Sequence, residues 1–158
     1  MSDARGPARD AGRALVCAGR FNEAVTRRLV DGALAVLAAG GYDAGRVDVV
    51  WVAGAFELPL VLDRGLRTGR YRLAVALGAV VRGETPHFEY LAAEATRGLG
   101  AVALARGIPV GYGLLTCDSL EQALARAGGA AGNKGVEAAE AALVSLGALA
   151  RLEGDAPA

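Results

Sequence analysis

Short apolar runs of strand length alternate along this chain with longer stretches whose apolar residues recur at helical spacing. That alternation most constrains the fold, because strand–helix–strand repetition lays strands side by side in parallel and covers both sheet faces with helices. Residues 13–18 read as a first strand ending at Gly19-Arg20-Phe21-Asn22. From 22 to 39, Val25, Leu29, Ala33, Val36 and Leu37 recur at helical spacing, and Gly40-Gly41 ends the helix. Residues 47–53 form a second strand, whose apolar character, interrupted only by Asp48, predicts cover on both faces. Gly54-Ala55-Phe56 turns into a helix over 57–69, with Pro59 tolerated in its first turn. A third strand covers 73–81. Thr85 as N-cap and Pro86 as first residue then open a helix reaching Arg106. Residues 110–115 make a fourth strand, and Asp118 with Glu121 has capping-box spacing before a helix ending near Gly128. A glycine-rich link reaches Asn133-Lys134, and a last helix runs to Leu152. Residues 13–152 thus read as one domain between short tails, 1–12 and 153–158.

A chain of 158 residues can bury one substantial core. Its hydrophobic share of 53% leans on alanine, with only 5% aromatic residues, which suits close helix–sheet packing and subunit contact. The 17 basic and 17 acidic side chains balance, and no basic stripe with interleaved aromatics appears, so a nucleic-acid partner is excluded. No apolar run reaches the length of a membrane span. Residues 1–12 lack an apolar signal core and predict a flexible tail on a cytoplasmic protein. Cys17 and Cys117 have neither zinc-site spacing nor the density of a disulfide scaffold, and with a single histidine no metal is expected.

In a doubly wound sheet, ligands bind beyond the carboxyl ends of the strands. That rule gathers Phe21, the 54–57 turn, the 82–87 segment and the 112–118 segment at one edge. His87, the only histidine, falls in the first turn of its helix, where the positive helix end disfavours the imidazolium and leaves a base near neutral pH. An ordinary structural histidine is the competing reading. Gly83-Glu84-Thr85 is either an anion-binding turn or a plain tight turn. Phe21 is a stacking surface or a lid, and Glu57 a polyol ligand or a helix-end carboxylate. The stretch from Gly128 to Gly135 is not a nucleotide-phosphate loop, since no Ser or Thr follows Lys134 and no strand leads in. Arg126, Lys134 and Glu137 beside it form a solvated surface or a phosphate-binding cluster. Cys117, next to a helix start, could carry a lowered pKa and act with His87 as a thiol nucleophile, although no orienting third group accompanies them.

Several segments stand in order across about residues 13–150: Arg20-Phe21-Asn22 with Thr26, Gly54-Ala-Phe-Glu-Leu-Pro59, the run from Leu77 to Tyr90 containing Gly-Glu-Thr-Pro-His-Phe, Pro109-Val110, Leu115-Thr116, Glu121-Gln122-Ala123, Arg126-Ala-Gly128 and Gly132-Asn-Lys-Gly135. In these segments the chain resembles the lumazine synthase family of riboflavin biosynthesis. The resemblance implies a single-domain three-layer α/β/α fold with a doubly wound, flavodoxin-like four-stranded parallel sheet. It implies condensation of 5-amino-6-(D-ribitylamino)uracil with 3,4-dihydroxy-2-butanone 4-phosphate to 6,7-dimethyl-8-ribityllumazine, phosphate and water, with no cofactor. Under it, Phe21 stacks on the pyrimidine, Ala55, Phe56 and Glu57 hold the ribityl chain, and Val80 and Val81 contact the pyrimidine edge. Gly83, Glu84, Thr85 and Arg126 bind phosphate, His87 shuttles protons, and Tyr112 closes the pocket from a neighbouring subunit. Lys134 contacts the pyrimidine–ribityl substrate, with Glu137 in support. The implied partners are the small-molecule substrates, further copies in a pentamer or a 60-subunit shell, and riboflavin synthase. Departures from the family pattern are Ala53 for a common proline, the small residues at 129–131, Tyr112 for a common phenylalanine, and the glycines Gly111 and Gly113 around it. A cage-forming scaffold with weak or lost catalysis is the alternative from another class.

Overall fold

Four of the apolar runs become strands, β1 (Arg13–Gly19), β2 (Val47–Val52), β3 (Tyr71–Val81) and β4 (Val110–Cys117), paired in parallel in the order β2-β1-β3-β4. The structure, a computed structural model, describes residues 12–154; the expected tails lie outside these apart from Gly12, Glu153 and Gly154. Five helices follow the strands and turns: α1 (Glu23–Ala39), α2 (Leu58–Leu66), α3 (His87–Arg106), α4 (Leu120–Ala125) and α5 (Lys134–Leu152). The expected three-layer, doubly wound α/β/α architecture is therefore present.

Along β1 the side chains divide strictly by parity, as a pleated strand requires. Ala14, Val16 and Ala18 join Leu29 and Leu37 of α1 and Ala138 and Ala142 of α5 on one face. Leu15 and Cys17 join Leu58 and Leu62 of α2 and Leu99 of α3 on the other. Both faces are closed, which is why this strand carries no polar alternation. Each fully buried leucine in these two layers contributes about 1.5–3 kcal/mol.

The helix α5 lies directly on the backbone of β4. A Cβ on Gly111 would stand 2.2 Å from the carbonyl oxygen of Ala138, and one on Gly113 would stand 2.4 Å from a methyl of Leu77. The glycines around Tyr112 are thus what permits the close approach.

Four expectations are corrected. The β2 strand is an edge strand paired on one side only, and Val49 and Val50, which point to opposite faces, are both exposed, because its run of valines flanks the sheet rather than crossing its centre. The N-cap of α4 is Ser119, whose hydroxyl accepts from the Gln122 N–H at 3.2 Å; Asp118 instead pairs with Arg82. The glycine-rich link closes into a small antiparallel hairpin, β5 (Ala127–Gly129) with β6 (Gly132–Asn133), because Gly128 and Gly132 adopt positive φ. Finally, α3 begins one residue later than predicted, with Pro86 at the cap position and the Thr85 hydroxyl accepting from the His87 N–H at 3.4 Å.

At the opposite end of the sheet from these loops, Asp48 of β2 ties three strands together. It accepts from Arg13 of β1 at 2.7 and 3.0 Å, from the Tyr71 hydroxyl of β3 at 2.7 Å, and from Arg70 at 3.3 Å. These bonds, the Arg13 pair first, hold its carboxyl down at about 2.

Candidate active site

The sheet's connections reverse direction between β1 and β3, and doubly wound folds bind ligands outside the carboxyl ends at such a point. A cavity of about 1110 Å³ opens there. Its first wall is the loop after β1. The Arg20 and Phe21 N–H groups donate to the carbonyls of Val52 (2.8 Å) and Ala53 (3.1 Å), continuing the ladder past β2. Asn22 then turns the chain with left-handed backbone (φ 60°, ψ 47°), a conformation Asn tolerates better than other side-chain residues. Its side-chain amide donates to the Ala79 carbonyl of β3 at 2.9 Å. Arg20 and Arg27 also stack on the Trp51 ring, at 5.2 and 5.0 Å from its centre. So fastened, Phe21 presents a ring that is 72% exposed at the cavity mouth.

The second wall is the one-turn 3-10 segment Ala55–Glu57. Oε1 of Glu57 accepts from the Gly54 N–H at 3.0 Å, so the carboxylate first serves to hold its own turn. Ala55 is buried and Phe56 projects outward. Val80 and Val81 at the end of β3 supply a floor.

The third wall is the segment from Arg82 to His87. The Arg82 N–H extends the β3–β4 ladder to the Cys117 carbonyl (2.8 Å), while its guanidinium bonds Asp118 at 2.8 Å and covers the Phe88 ring at 4.7 Å. Arg82 thereby staples this loop to the end of β4. A Cβ on Gly83 would meet nothing within 4 Å, so the fold itself makes no steric demand for glycine there. Gly83, Thr85 and His87 line the cavity together with Phe21, Ala55, Phe56, Glu57, Val80 and Val81, whereas Glu84 is not among the residues that line it.

The remaining predicted residues do not join this cavity. Tyr112, Arg126, Lys134 and Glu137 line a separate depression of about 300 Å³ along the outer edge of β4. Asn133 caps α5 with its side-chain oxygen, accepting from the Gly135 and Val136 N–H groups, and so places Lys134 at the head of that helix. The Lys134 ammonium lies 5.6 Å from the centre of the Tyr112 ring. The expected single edge of the sheet therefore carries two separate depressions. Cys117 lines the second and His87 the first, and burial pushes the Cys117 thiol up rather than down. Within one chain the two side chains do not meet, and a thiol pushed up by burial counts against the thiol-nucleophile reading. Among the described residues no group of three His, Cys, Asp or Glu side chains gathers to hold a metal, and no helix is long and apolar enough to cross a membrane.

Asn22, Trp51 and the Arg82–Asp118 pair were not among the predicted site residues. An asparagine directly after a strand is a signal for left-handed backbone, but its bond to Ala79 joins residues far apart in sequence.

The model of the 6,7-dimethyl-8-ribityllumazine synthase family matches residues 11–149, a span that takes in both depressions. The chain is 50% identical over 137 residues to the 6,7-dimethyl-8-ribityllumazine synthase of Nitratidesulfovibrio vulgaris, covering 87% of this chain and 88% of that protein. It is 55% identical over 131 residues to the enzyme of the same name from Anaeromyxobacter dehalogenans, covering 83% and 81%. Identity of that order across the whole sheet and its carboxyl-end loops leaves one conclusion: the chain belongs to the 6,7-dimethyl-8-ribityllumazine synthase family.

Proposed function

We propose that the protein condenses 5-amino-6-(D-ribitylamino)uracil with 3,4-dihydroxy-2-butanone 4-phosphate, giving 6,7-dimethyl-8-ribityllumazine, phosphate and water. The observation that carries this reading is the family match, which spans the His87 cavity and the Lys134 depression alike. In the reaction a substrate amine condenses with the ketone to form an imine with loss of water, phosphate leaves, and the second nitrogen closes the ring with loss of a second water. Every step is proton transfer and positioning, so one base, an anion cradle and a stacking surface suffice.

In this reading Phe21 stacks on the pyrimidine, and Val80 and Val81 meet its edge through their backbone. Ala55, Phe56 and Glu57 hold the ribityl chain. Phosphate rests against the backbone of Gly83 and Glu84 and the hydroxyl of Thr85, where glycine leaves room for the anion. Glu84 takes part through its backbone N–H, in keeping with its absence from the cavity lining. His87 moves protons. The charge on phosphate calls for a cation, and the first cavity's loop spends its own arginine, Arg82, on Asp118 and Phe88. Arg126 supplies that cation from a neighbouring copy, with Tyr112, Lys134 and Glu137 beside it.

A site divided in this way pairs two different surfaces of one chain, the arrangement that closes into rings. Exposed Phe56, Tyr90, Leu104 and Val144 support extensive burial between copies. We assign the ring as a pentamer able to build a 60-subunit shell, in the cytoplasm and able to associate with riboflavin synthase. Native mass measurement tests the assembly. The activity is tested by mixing purified protein with both substrates and following lumazine fluorescence. Acceleration over the spontaneous reaction is expected, and none would overturn the reading. Intact shells that fail to bind a pyrimidine analogue would establish the scaffold instead.

A further inference from the structure

Lys134 is the only lysine in a chain that otherwise carries arginine at every basic position. Its ammonium stands over the Tyr112 ring, 5.6 Å from the centre, inside the depression on β4. The ring is itself held at its far end. The hydroxyls of Tyr112 and Thr96 lie 2.9 Å apart, joining β4 to the helix α3 across one face of the sheet. Tyr112 points to the opposite face of β4 from Gly111 and Gly113, which are closed over by α5 and Leu77, and the Thr96 hydroxyl is the polar tether at the far end of its ring.

We propose that Thr96 is a positioning residue. Its bond to the Tyr112 hydroxyl fixes the ring beneath Lys134 and so directs the ammonium within the half-site where the pyrimidine substrate is read. The proposal rests on the functional reading above only for that last step. A cation held over a ring spends less time free than one over an untethered ring, and a partly exposed contact of this kind is worth about two- to fivefold in population. Thr96 itself touches no substrate. It acts through Tyr112.

Because the lysine is unique, the holding can be read without substrate. Amine acylation of the assembled protein, followed by mass spectrometry of the peptide containing Lys134, reports one side chain. Thr96→Val and Tyr112→Phe should each raise the acylation rate about two- to fivefold, the second by removing the hydroxyl while keeping the ring. Thr96→Ser, which restores the hydroxyl, should return the rate to that of the unaltered protein. In steady state, both disruptive variants should raise KM for the pyrimidine substrate by a similar factor with kcat little changed. Unchanged acylation in both variants overturns the proposal, and so does failure of Thr96→Ser to restore it. Should Thr96→Val fail to fold, Tyr112→Phe carries the same test from the other side of the bond. Faster acylation with an unaltered KM would leave the holding of Lys134 established and remove Lys134 from substrate binding, a failure of the functional assignment alone.

Discussion

His87 is placed by contacts it does not itself make. The loop before it is pinned by Arg82 to Asp118, and its backbone N–H bonds the Thr85 hydroxyl, so the ring enters the cavity from a helix start already fixed. Substitution of His87 by Ala should therefore preserve the fold and slow condensation about 10²-fold, the lower bound for a positioned acid–base group. Stopped-flow fluorescence checks this, and an unchanged rate removes the assigned role. Asp48 makes a prediction in pH. Its carboxyl is held at about 2, below its unfolded value of about 4, mainly by Arg13 and Tyr71. The stabilisation is then complete above about pH 5 and is lost as pH falls through 4 toward 2. Urea unfolding should show Asp48→Asn less stable than the unaltered protein at pH 6, with the gap narrowed to about a third at pH 2.5. A constant gap would show that the carboxylate charge contributes nothing. Most of the cavity residues were legible in the sequence, because Phe21, Glu57, the Gly83–Thr85 turn and His87 follow strands at positions where a chain builds sites. The Asp48 hub and the bond from Asn22 to Ala79 were not, since each joins residues that only the folded sheet brings together.

Among the elements, the strand–helix succession was readable because each run has its own period, and β1 and β3 carry apolar residues on both faces. The same logic misjudged β2, whose valines look identical to a central strand although nothing among the described residues pairs beyond it. Caps were off by one where two candidates stood side by side: Asp118 and Ser119 both fit, and the pull of Arg82 on Asp118 decided between them. The seating of α5 on β4 depends on a missing side chain and had no local signal. Gly111→Ala must push the helix away from the Ala138 carbonyl and should cost about 1–3 kcal/mol by denaturant unfolding. Gly147→Ala in the same helix meets nothing within 4 Å and should instead stabilise by about 0.5–1 kcal/mol. Equal effects at the two positions would refute the packing account.

For the whole molecule, the His87 cavity and the Arg126–Lys134 depression lie on separate surfaces of one chain, and the proposed function makes them two halves of one site. On that proposal a catalytic unit is defined by a boundary between copies rather than by a copy. The consequence is genetic as much as chemical: two defective alleles can rescue one another. Rings assembled from His87→Ala and Arg126→Ala subunits would contain, in about a quarter of their contacts, an intact His87 half facing an intact Arg126 half. Co-expressed in one cell, the two variants should show activity well above either alone, up to about that fraction of the unaltered enzyme, whereas separately assembled rings mixed afterwards should show none of the gain. For the same reason a subunit damaged on both surfaces would spoil two boundaries at once, and such an allele would be felt beyond its own dose.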